Sequence, residues 1–460
     1  MDLCAPSNGL SSEGGNQGGV ASMKNPEEPF LRDFFRMLNV RGIRYAVMRN
    51  SDSLPETLDG SDLDLFVADE KVGKMVVDVA KEVAESYSGG CTAYYHSDEI
   101  VTCWGGRHKD GEWWGLHLDI VTGVKHLGAP YIEAEALLDE RVFVKETFYR
   151  SGELSDVVSF LKEILCNRKT KKNYYELARE AFGKRPDQIK AAVEMCPNGV
   201  QTWSLIEGLL SEAHGPEYIA ARAERIEWSI LKGRSVVERF RYTYRKYRRL
   251  LFPPSITVAF LGTDGSGKST VIESIKPFFE RMLHSQVHYE HLRPNLLPSL
   301  ARLAGRPKIE GPVTNPHGGK TAGRISSLLR FFYYYLDYTL GYLLKIIPIM
   351  AKRPTLIVFD RYYYEYMIDP KRCAVRLPRG FARFFSLFIP KPSLILCLGG
   401  DPEKIFERKP ETSIEEVTRQ VDELRRFVKG DRRAIWVDTT LTKEESSAAA
   451  IAAIVERMKR

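Results

Sequence analysis

Closely spaced cysteines are missing from this sequence. Its 460 residues contain seven cysteines, with no CxxC pair. They stand at positions 4, 91, 103, 166, 196, 373 and 397, without histidines at the spacing of metal ligands. This scatter argues against a zinc site of the finger type and against a disulfide framework. It indicates reduced thiols, and we expect a cytoplasmic protein.

Long uninterrupted apolar runs are missing as well. The most apolar stretch, ISSLLRFFYYYLDYTLGYLLKIIPIM at 325–350, is interrupted by Arg330, Asp337 and Lys345. A membrane-spanning helix needs about twenty consecutive apolar residues, so we expect a long, largely buried helix here. Residues 1–26 lack the basic and apolar regions of a signal peptide. Their Gly, Ser and Asn content predicts a disordered tail.

A strong excess of charge is also lacking. The net charge of +7 suits acidic ligands such as nucleotides but does not require nucleic acid. Residues 222–249 are the exception, since Arg, Lys, Tyr and Phe crowd this segment. Contact with nucleic acid or an anionic membrane is one interpretation. We favour a solvated helix whose aromatic residues pack on a neighbouring domain. The sequence leaves open whether the chain forms a homodimer.

The order of apolar patterns predicts an α/β protein with three folded regions. Residues 27–150 alternate helical and strand patterns and predict a small α/β domain. Residues 151–254 lose the strand patterns, which predicts a helical connector ending at Pro253 and Pro254. Alternation returns over 255–460. Strands separated by helices in this way predict a parallel sheet wrapped by helices.

One glycine-rich segment has the pattern of a phosphate-binding loop. Residues 262–269, GTDGSGKS, match GxxxxGK[ST] at every fixed position, after an apolar strand and before a helical pattern. Backbone N–H groups of such a loop and the helix N-terminus face a phosphate. Lys268 is expected to reach the β/γ-phosphates and Ser269 to ligate Mg²⁺. The residues predicted to bind ATP are Gly262, Gly265, Ser266, Gly267, Lys268, Ser269, Thr270 and Lys409.

A second motif stands at the end of the strand pattern LIVFD. Asp360 is placed to hold the Mg²⁺ ion, directly or through water. Arg361 is placed to stabilise the charge of a phosphoryl group in transfer. An ordinary salt bridge at a strand end is the alternative interpretation.

The segments FLGTDGSGKST and VFDRYYYEY together resemble the thymidylate kinase family, over about residues 255–460. The resemblance implies a nucleoside-monophosphate-kinase fold, Mg·ATP as phosphoryl donor and a mobile basic lid. It implies that Asp264 faces the acceptor and that Arg408 and Lys409 close over the phosphates. Tyr362 is either an acceptor contact or a packing residue.

The family's Thr-Arg-Glu-Pro segment is missing from the chain. VHYEHLRPNLLP stands in its place, with Arg293 as the one counterpart. The resemblance therefore implies an acceptor other than dTMP.

An acidic pair stands earlier in the chain, in GSDLDLFV. Asp62 and Asp64 are two residues apart, a spacing that places both carboxylates on one face of a strand. Asp119 follows on another strand pattern, and three carboxylates suit one or two Mg²⁺ ions. Residues 30–125 resemble the nucleotidyltransferase superfamily, which implies these three aspartates as metal ligands and an NTP donor. Arg49 and Asn50 replace the family's Gly-Ser.

The sequence thus predicts an ATP-dependent phosphotransferase that acts on a nucleotide or another small polar acceptor. Its predicted catalytic residues are Lys268, Asp360, Arg361, Asp264 and Arg408. Nucleotidyl transfer is a second activity that the sequence leaves open. Two other interpretations remain. In the first, the phosphate-loop domain is an ATP-binding switch for a nucleotidyltransferase. In the second, the chain is a nucleotide-sensing scaffold without catalysis.

Overall fold

The computed structural model of the protein describes residues 27–96, 98–108, 111–168, 171–303, 323–370, 372–373 and 375–459. The predicted tail at 1–26 lies outside these residues. By their contacts, the residues form two compact units. One holds the described residues up to Val83 together with Tyr95–Val101 and Leu118–Lys246. The other holds Ala84–Tyr94, Thr102–His117 and the described residues from Tyr247 on. The division of the chain into regions 27–150, 151–254 and 255–460 stays a prediction.

A mixed sheet is built from residues 45–150. Its strands are β1 (Tyr45–Val47), β2 (Leu63–Val67), β3 (Gly90–His96), β4 (Glu99–Arg107), β5 (Trp113–Thr122), β8 (Val142–Val144) and β9 (Phe148–Arg150). Their order is β3-β4-β5-β2-β1-β9-β8, while β6 (Val124–His126) and β7 (Ala129–Ile132) form a separate antiparallel pair. Strand β2 is buried at every position and runs parallel to β5. This register places Asp64 opposite Asp119.

Helices follow and flank these strands. They are α1 (Glu27–Val40), α2 (Glu70–Ser86), α3 (Ala134–Asp139), α4 (Leu154–Asn167), α5 (Lys172–Lys184), α6 (Pro186–Glu194), α7 (Gly199–Leu210), α8 (Pro216–Lys232) and α9 (Val236–Leu251). The apolar residues of α1 recur at helical spacing, so Phe30, Phe34 and Leu38 are fully buried. Between residues 154 and 251 the described elements are helices, as the loss of strand patterns predicts.

The C-terminal half contains a parallel sheet. Its strands are β10 (Ile256–Gly262), β11 (His288–His291), β12 (Leu356–Asp360), β13 (Leu394–Gly399) and β14 (Ala434–Asp438), in the order β11-β12-β10-β13-β14. Every neighbouring pair is parallel. The central strand β10 is buried throughout, which suits a run of apolar residues with helices between the strands. The predicted α/β class and the parallel sheet of this half are confirmed.

Helices connect these strands. They are α10 (Lys268–Leu283), α11 (Leu300–Leu303), α12 (Arg324–Leu336), a π-helix (Asp337–Ile346), α13 (Ile347–Lys352), α14 (Glu365–Ile368), α15 (Arg379–Phe385), a 3₁₀ turn (Ser386–Phe388), α16 (Pro402–Arg408), α17 (Ile414–Gly430) and α18 (Lys443–Met458). The start of α18 is fixed by a capping box, in which Thr442 and Glu445 each accept a backbone N–H of the other.

The apolar stretch at 325–350 is less buried than the sequence predicts. Helix α12, the π-helix and α13 follow one another without a break, and Phe331 and Tyr338 are buried. Ile325 and Leu329, however, are 78% and 67% exposed. The expectation of a largely buried helix is therefore wrong. Apolar residues occur on several faces of this helical stretch, but only one of these faces packs against the rest of the protein. Within the described ranges, none of the helices combines the length and apolar character needed to span a bilayer.

Candidate functional site

The glycine-rich loop (residues 262–269) joins the carboxyl end of β10 to the N-terminus of α10. Gly265 and Gly267 have φ angles of +80° and +77°, which residues with a side chain adopt only with strain. A Cβ atom at Gly262 would lie 2.6 Å from the carbonyl oxygen of Leu398. The glycines thus allow the chain to curl tightly, as the GxxxxGK[ST] pattern predicts.

This loop forms one wall of a cavity of about 520 Å³. The volume is typical of pockets for small molecules. Of the residues that the structure describes, six cationic and two acidic side chains line it, so an anionic ligand is favoured over a cationic one. The charged lining residues are Lys268, Arg361, Arg372, Arg408, Lys409, Lys443, Asp264 and Asp360. Gly265, Gly267, Ser269 and Thr270 line the same cavity.

Lys268 is buried at the start of α10, with 8% of its surface exposed. Its Nζ donates hydrogen bonds to the carbonyl oxygens of Gly262 (2.9 Å) and Thr263 (2.7 Å). Burial, followed by repulsion from the Arg361 guanidinium, lowers the pKa of Lys268. An anionic phosphate beside this ammonium group would supply the negative charge that favours its protonated form.

Asp360 lies at the carboxyl end of β12, on the wall of the cavity. Its Oδ2 accepts a hydrogen bond of 2.7 Å from the Tyr289 hydroxyl. Burial, and then this bond to Asp360, raises the pKa of Tyr289. Asp360 Oδ1 is buried and has no hydrogen-bond partner within the part of the chain that the structure describes. Because an unpaired buried carboxylate oxygen is costly, this atom is a natural ligand for a cation.

Arg361 follows with a φ of +70°, a left-handed conformation that turns the chain away from β12. Its side chain is buried and donates to Asp264 Oδ1 (2.6 Å) and Glu365 Oε2 (3.0 Å). Arg372 also pairs with Asp264. Burial alone would raise the pKa of Asp264, but Arg361 and Arg372 hold it well below its usual range. Burial raises the pKa of Glu365.

Glu365 and Arg372 are functional candidates that the sequence reasoning missed. Glu365 stands four residues after Arg361, the spacing of an ion pair on one helical turn, so DRYYYE carried a usable signal. Arg372 comes to the cavity from a loop, and no local pattern marks it. Arg361 and Arg372 each contact one carboxylate oxygen of Asp264, so Asp264 holds these two cationic side chains at the cavity wall.

Arg408 and Lys409 lie at the end of α16, exposed on the edge of the same cavity. Arg408 Nη1 donates to the Thr439 carbonyl oxygen at 2.7 Å. Lys409 Nζ lies 3.0 Å from Glu411 Oε1. Their predicted closing movement over phosphates stays a prediction.

Ser266 Oγ is buried within the loop and has no hydrogen-bond partner among the described residues.

Two residues considered for acceptor binding are packing residues. Tyr362 is fully buried, and its hydroxyl donates to the Pro390 carbonyl oxygen at 2.6 Å. Of the two interpretations of Tyr362, the structure supports packing. Arg293 is buried against Asp337 and stacks over the Tyr334 ring at 4.7 Å. Neither residue lines the cavity.

The three aspartates of the N-terminal half have different surroundings. Asp62, just before β2, and Asp119, on β5, come together with His117, and one ligand atom of each lies within 4.8 Å of the others. Asp64 forms an ion pair with Arg49 Nη2 at 2.7 Å. Burial raises the pKa of Asp64, and Arg49 opposes that shift. His117 was missed by the sequence reasoning, although it stands two residues before Asp119 on the same strand.

No protein-family model matches this chain, and no curated protein is significantly similar to it.

Proposed function

We propose that the chain is an ATP-dependent phosphotransferase that binds Mg·ATP at the glycine-rich loop. The acceptor is a nucleotide or another small polar molecule. One observation carries the proposal. Within the described part of the chain, one cavity is lined by the loop, by six cationic side chains and by the Oδ1 of Asp360, which has no hydrogen-bond partner there. Phosphoryl transfer needs positioned cations and a metal ligand more than it needs a covalent nucleophile. The resemblance to thymidylate kinases over residues 255–460 supports the same activity.

Each side chain then has a definite role. The backbone N–H groups of the loop and the N-terminus of α10 bind phosphate oxygens. Lys268 exchanges its bonds to the Gly262 and Thr263 carbonyls for bonds to the β/γ-phosphates. Arg361 stabilises the charge of the transferring group, and Asp264 and Glu365 hold its guanidinium in place. Arg408 and Lys409, which line the same cavity, close over the phosphates.

The residues fit a magnesium ion. Asp360 Oδ1 is buried without a partner among the described residues, and Ser269 lines the same cavity. Oxygen ligands of this kind are those that Mg²⁺ prefers. Bound there, the ion would neutralise charge on the phosphates.

Replacing Lys268 with Ala is expected to weaken ATP binding at least about tenfold. The change removes the buried ammonium group and leaves the glycines of the loop in place. Isothermal titration with Mg·ATP measures the effect. Lys276→Ala, on the same helix but paired with Glu273, is the matched control and should bind ATP like the wild type. Equal affinity in the Lys268 variant would remove the phosphate-loop interpretation.

Turnover separates this proposal from its two rivals. ATP radiolabelled in its γ-phosphoryl group should transfer label to a small molecule if the chain is a phosphotransferase. ATP binding without turnover would favour a switch or a nucleotide-sensing scaffold.

The cluster of Asp62, His117 and Asp119 favours a second candidate activity, metal-dependent nucleotidyl transfer. Two carboxylates and an imidazole within 4.8 Å can share one divalent cation. Arg49 pairs with Asp64, so this aspartate would have to leave that ion pair to act as a third acidic ligand. The resemblance of residues 30–125 to nucleotidyltransferases supports the proposal.

Mn²⁺ or Mg²⁺ should raise the melting temperature of the full-length protein if this cluster binds metal. A cation at ten times its dissociation constant adds about 1.4 kcal/mol of stability, equivalent to a rise of roughly 2–4 °C. Asp62→Asn/Asp119→Asn should abolish the part of the rise that this cluster supplies. Asp33→Asn/Asp78→Asn, which removes two other acidic residues, should retain it. An identical rise in both double variants would exclude the cluster as a metal site.

A further inference from the structure

Helix α9 is amphipathic, and none of its residues is buried. Its sixteen residues, VVERFRYTYRKYRRLL, contain six Arg or Lys residues and one acidic residue, Glu238. The sequence favoured a helix whose aromatic residues pack on a neighbouring domain. Phe240 is 72% exposed, and Tyr244 and Tyr247 are also exposed, so these three rings do not pack as that interpretation expects.

The exposed apolar residues of α9 form a single stripe. Val236, Phe240, Tyr244, Tyr247 and Leu251 follow one another at intervals of three or four residues. Since successive residues of a helix are about 100° apart, this spacing keeps them on one face. Leu251, at the last position, is 79% exposed. Exposure of a continuous apolar stripe marks an interaction surface.

Basic residues border this stripe on both sides. Arg241 and Arg248 lie roughly 80–100° from its centre on one side, and Arg239 and Lys246 lie at a similar angle on the other. Long basic side chains can lay their apolar stems along a bilayer surface and keep the charge at the headgroups. The acidic residue does not disturb this arrangement, because Glu238 accepts hydrogen bonds from the backbone and hydroxyl of Ser235 at the helix start.

The opposite face of α9 is held to the protein. Arg245 pairs with Glu70 on α2 and lies over the Tyr95 ring at 4.6 Å. A Cβ atom at Gly128 would lie 3.2 Å from Tyr242 Cβ, so the helix backbone approaches that turn closely. These contacts fix which side of the helix faces outward. The stripe is therefore presented to solvent by a helix that is already formed.

We propose that α9 docks in the plane of an anionic membrane surface, with its apolar stripe in the headgroup region. Binding of such a helix scales with buried apolar area plus attraction to anionic lipid, and α9 offers both. A nucleic acid would engage the basic borders and could stack on the aromatic rings. It would leave the aliphatic side chains of Val236 and Leu251 without an apolar partner. On the phosphotransferase function proposed above, the site at the glycine-rich loop then works at the membrane surface, since the helix anchors the chain without crossing the bilayer.

Co-sedimentation of the full-length protein with lipid vesicles tests this proposal. The wild type should bind vesicles containing about one-third phosphatidylserine and bind neutral phosphatidylcholine vesicles much more weakly. Phe240→Ser/Leu251→Ser should lower binding to the anionic vesicles at least about tenfold, because it removes apolar area without changing charge. Arg241→Gln/Arg248→Gln should lower it by about tenfold as well and weaken its salt dependence.

Matched controls keep the result specific. Phe388→Ser/Leu387→Ser changes two apolar residues elsewhere in the chain that are 62% and 63% exposed, and it should bind like the wild type. Mg·ATP affinity should stay unchanged in every variant, which reports an intact fold. Failure of the wild type to bind anionic vesicles would overturn the proposal. So would equal binding by Phe240→Ser/Leu251→Ser, or binding to single-stranded RNA in place of vesicles.

Discussion

Asp360→Asn is expected to lower the rate of phosphoryl transfer by on the order of a hundredfold. The amide keeps the shape of the side chain but removes the negative charge that a magnesium ion requires. Asp360 Oδ1 is the buried oxygen without a partner among the described residues, and Oδ2 already accepts the Tyr289 hydroxyl. Initial rates of label transfer from ATP, measured against Mg²⁺ concentration, give the effect and any loss of metal affinity.

Tyr289→Phe is the matched control for this prediction. It removes the hydrogen bond to Asp360 Oδ2 and leaves the charge of the carboxylate intact, so transfer should fall much less. Thermal melts of both variants should stay close to that of the wild type. A wild-type rate in Asp360→Asn would reduce this aspartate to a structural partner of Tyr289.

Arg361→Ala is expected to destabilise the protein by about 3–5 kcal/mol, in addition to abolishing transfer. Arg361 is 4% exposed, and its guanidinium pairs with Asp264 and with Glu365, which is 1% exposed. Its removal leaves a buried glutamate without its cation. The sequence pattern marks Arg361 as a phosphoryl contact or a salt bridge, and the buried ion network gives it a part in stability as well. Urea denaturation monitored by circular dichroism measures the loss.

The double variant Arg361→Ala/Glu365→Gln separates the two effects of this change. Neutralising Glu365 removes the unpaired buried charge, so stability should recover substantially while transfer stays absent. Arg372→Ala should cost less stability, because its side chain is 25% exposed. A loss below about 1 kcal/mol in Arg361→Ala would mean that the buried network contributes little.

The parts of the fold and site that sequence predicts well are those fixed by local spacing. The glycine-rich loop follows from the fixed positions of Gly262, Gly267 and Lys268 between a strand pattern and a helix pattern. Asp360 and Arg361 follow because the carboxyl ends of parallel strands meet at one edge of a sheet. Both features needed only local periodicity and a general rule of topology.

The parts that sequence does not predict depend on contacts between distant segments. Arg372 reaches Asp264 across 108 positions of the chain, and no local pattern records that approach. Arg49 forms an ion pair with Asp64 that no local pattern predicts. The exposure of Phe240 is equally non-local, since a helical pattern shows which residues share a face but not whether another element covers it.

Label transfer from ATP tests the central claim most directly. Wild type, Lys268→Ala and Asp360→Asn would each be incubated with Mg·ATP labelled in the γ-phosphoryl group and the small-molecule fraction of a cell extract. Products would be separated by thin-layer chromatography. A phosphotransferase working at the glycine-rich loop predicts a labelled small molecule with the wild type that both variants fail to form. The same labelled products in all three incubations, or none beyond ATP and phosphate, would contradict it.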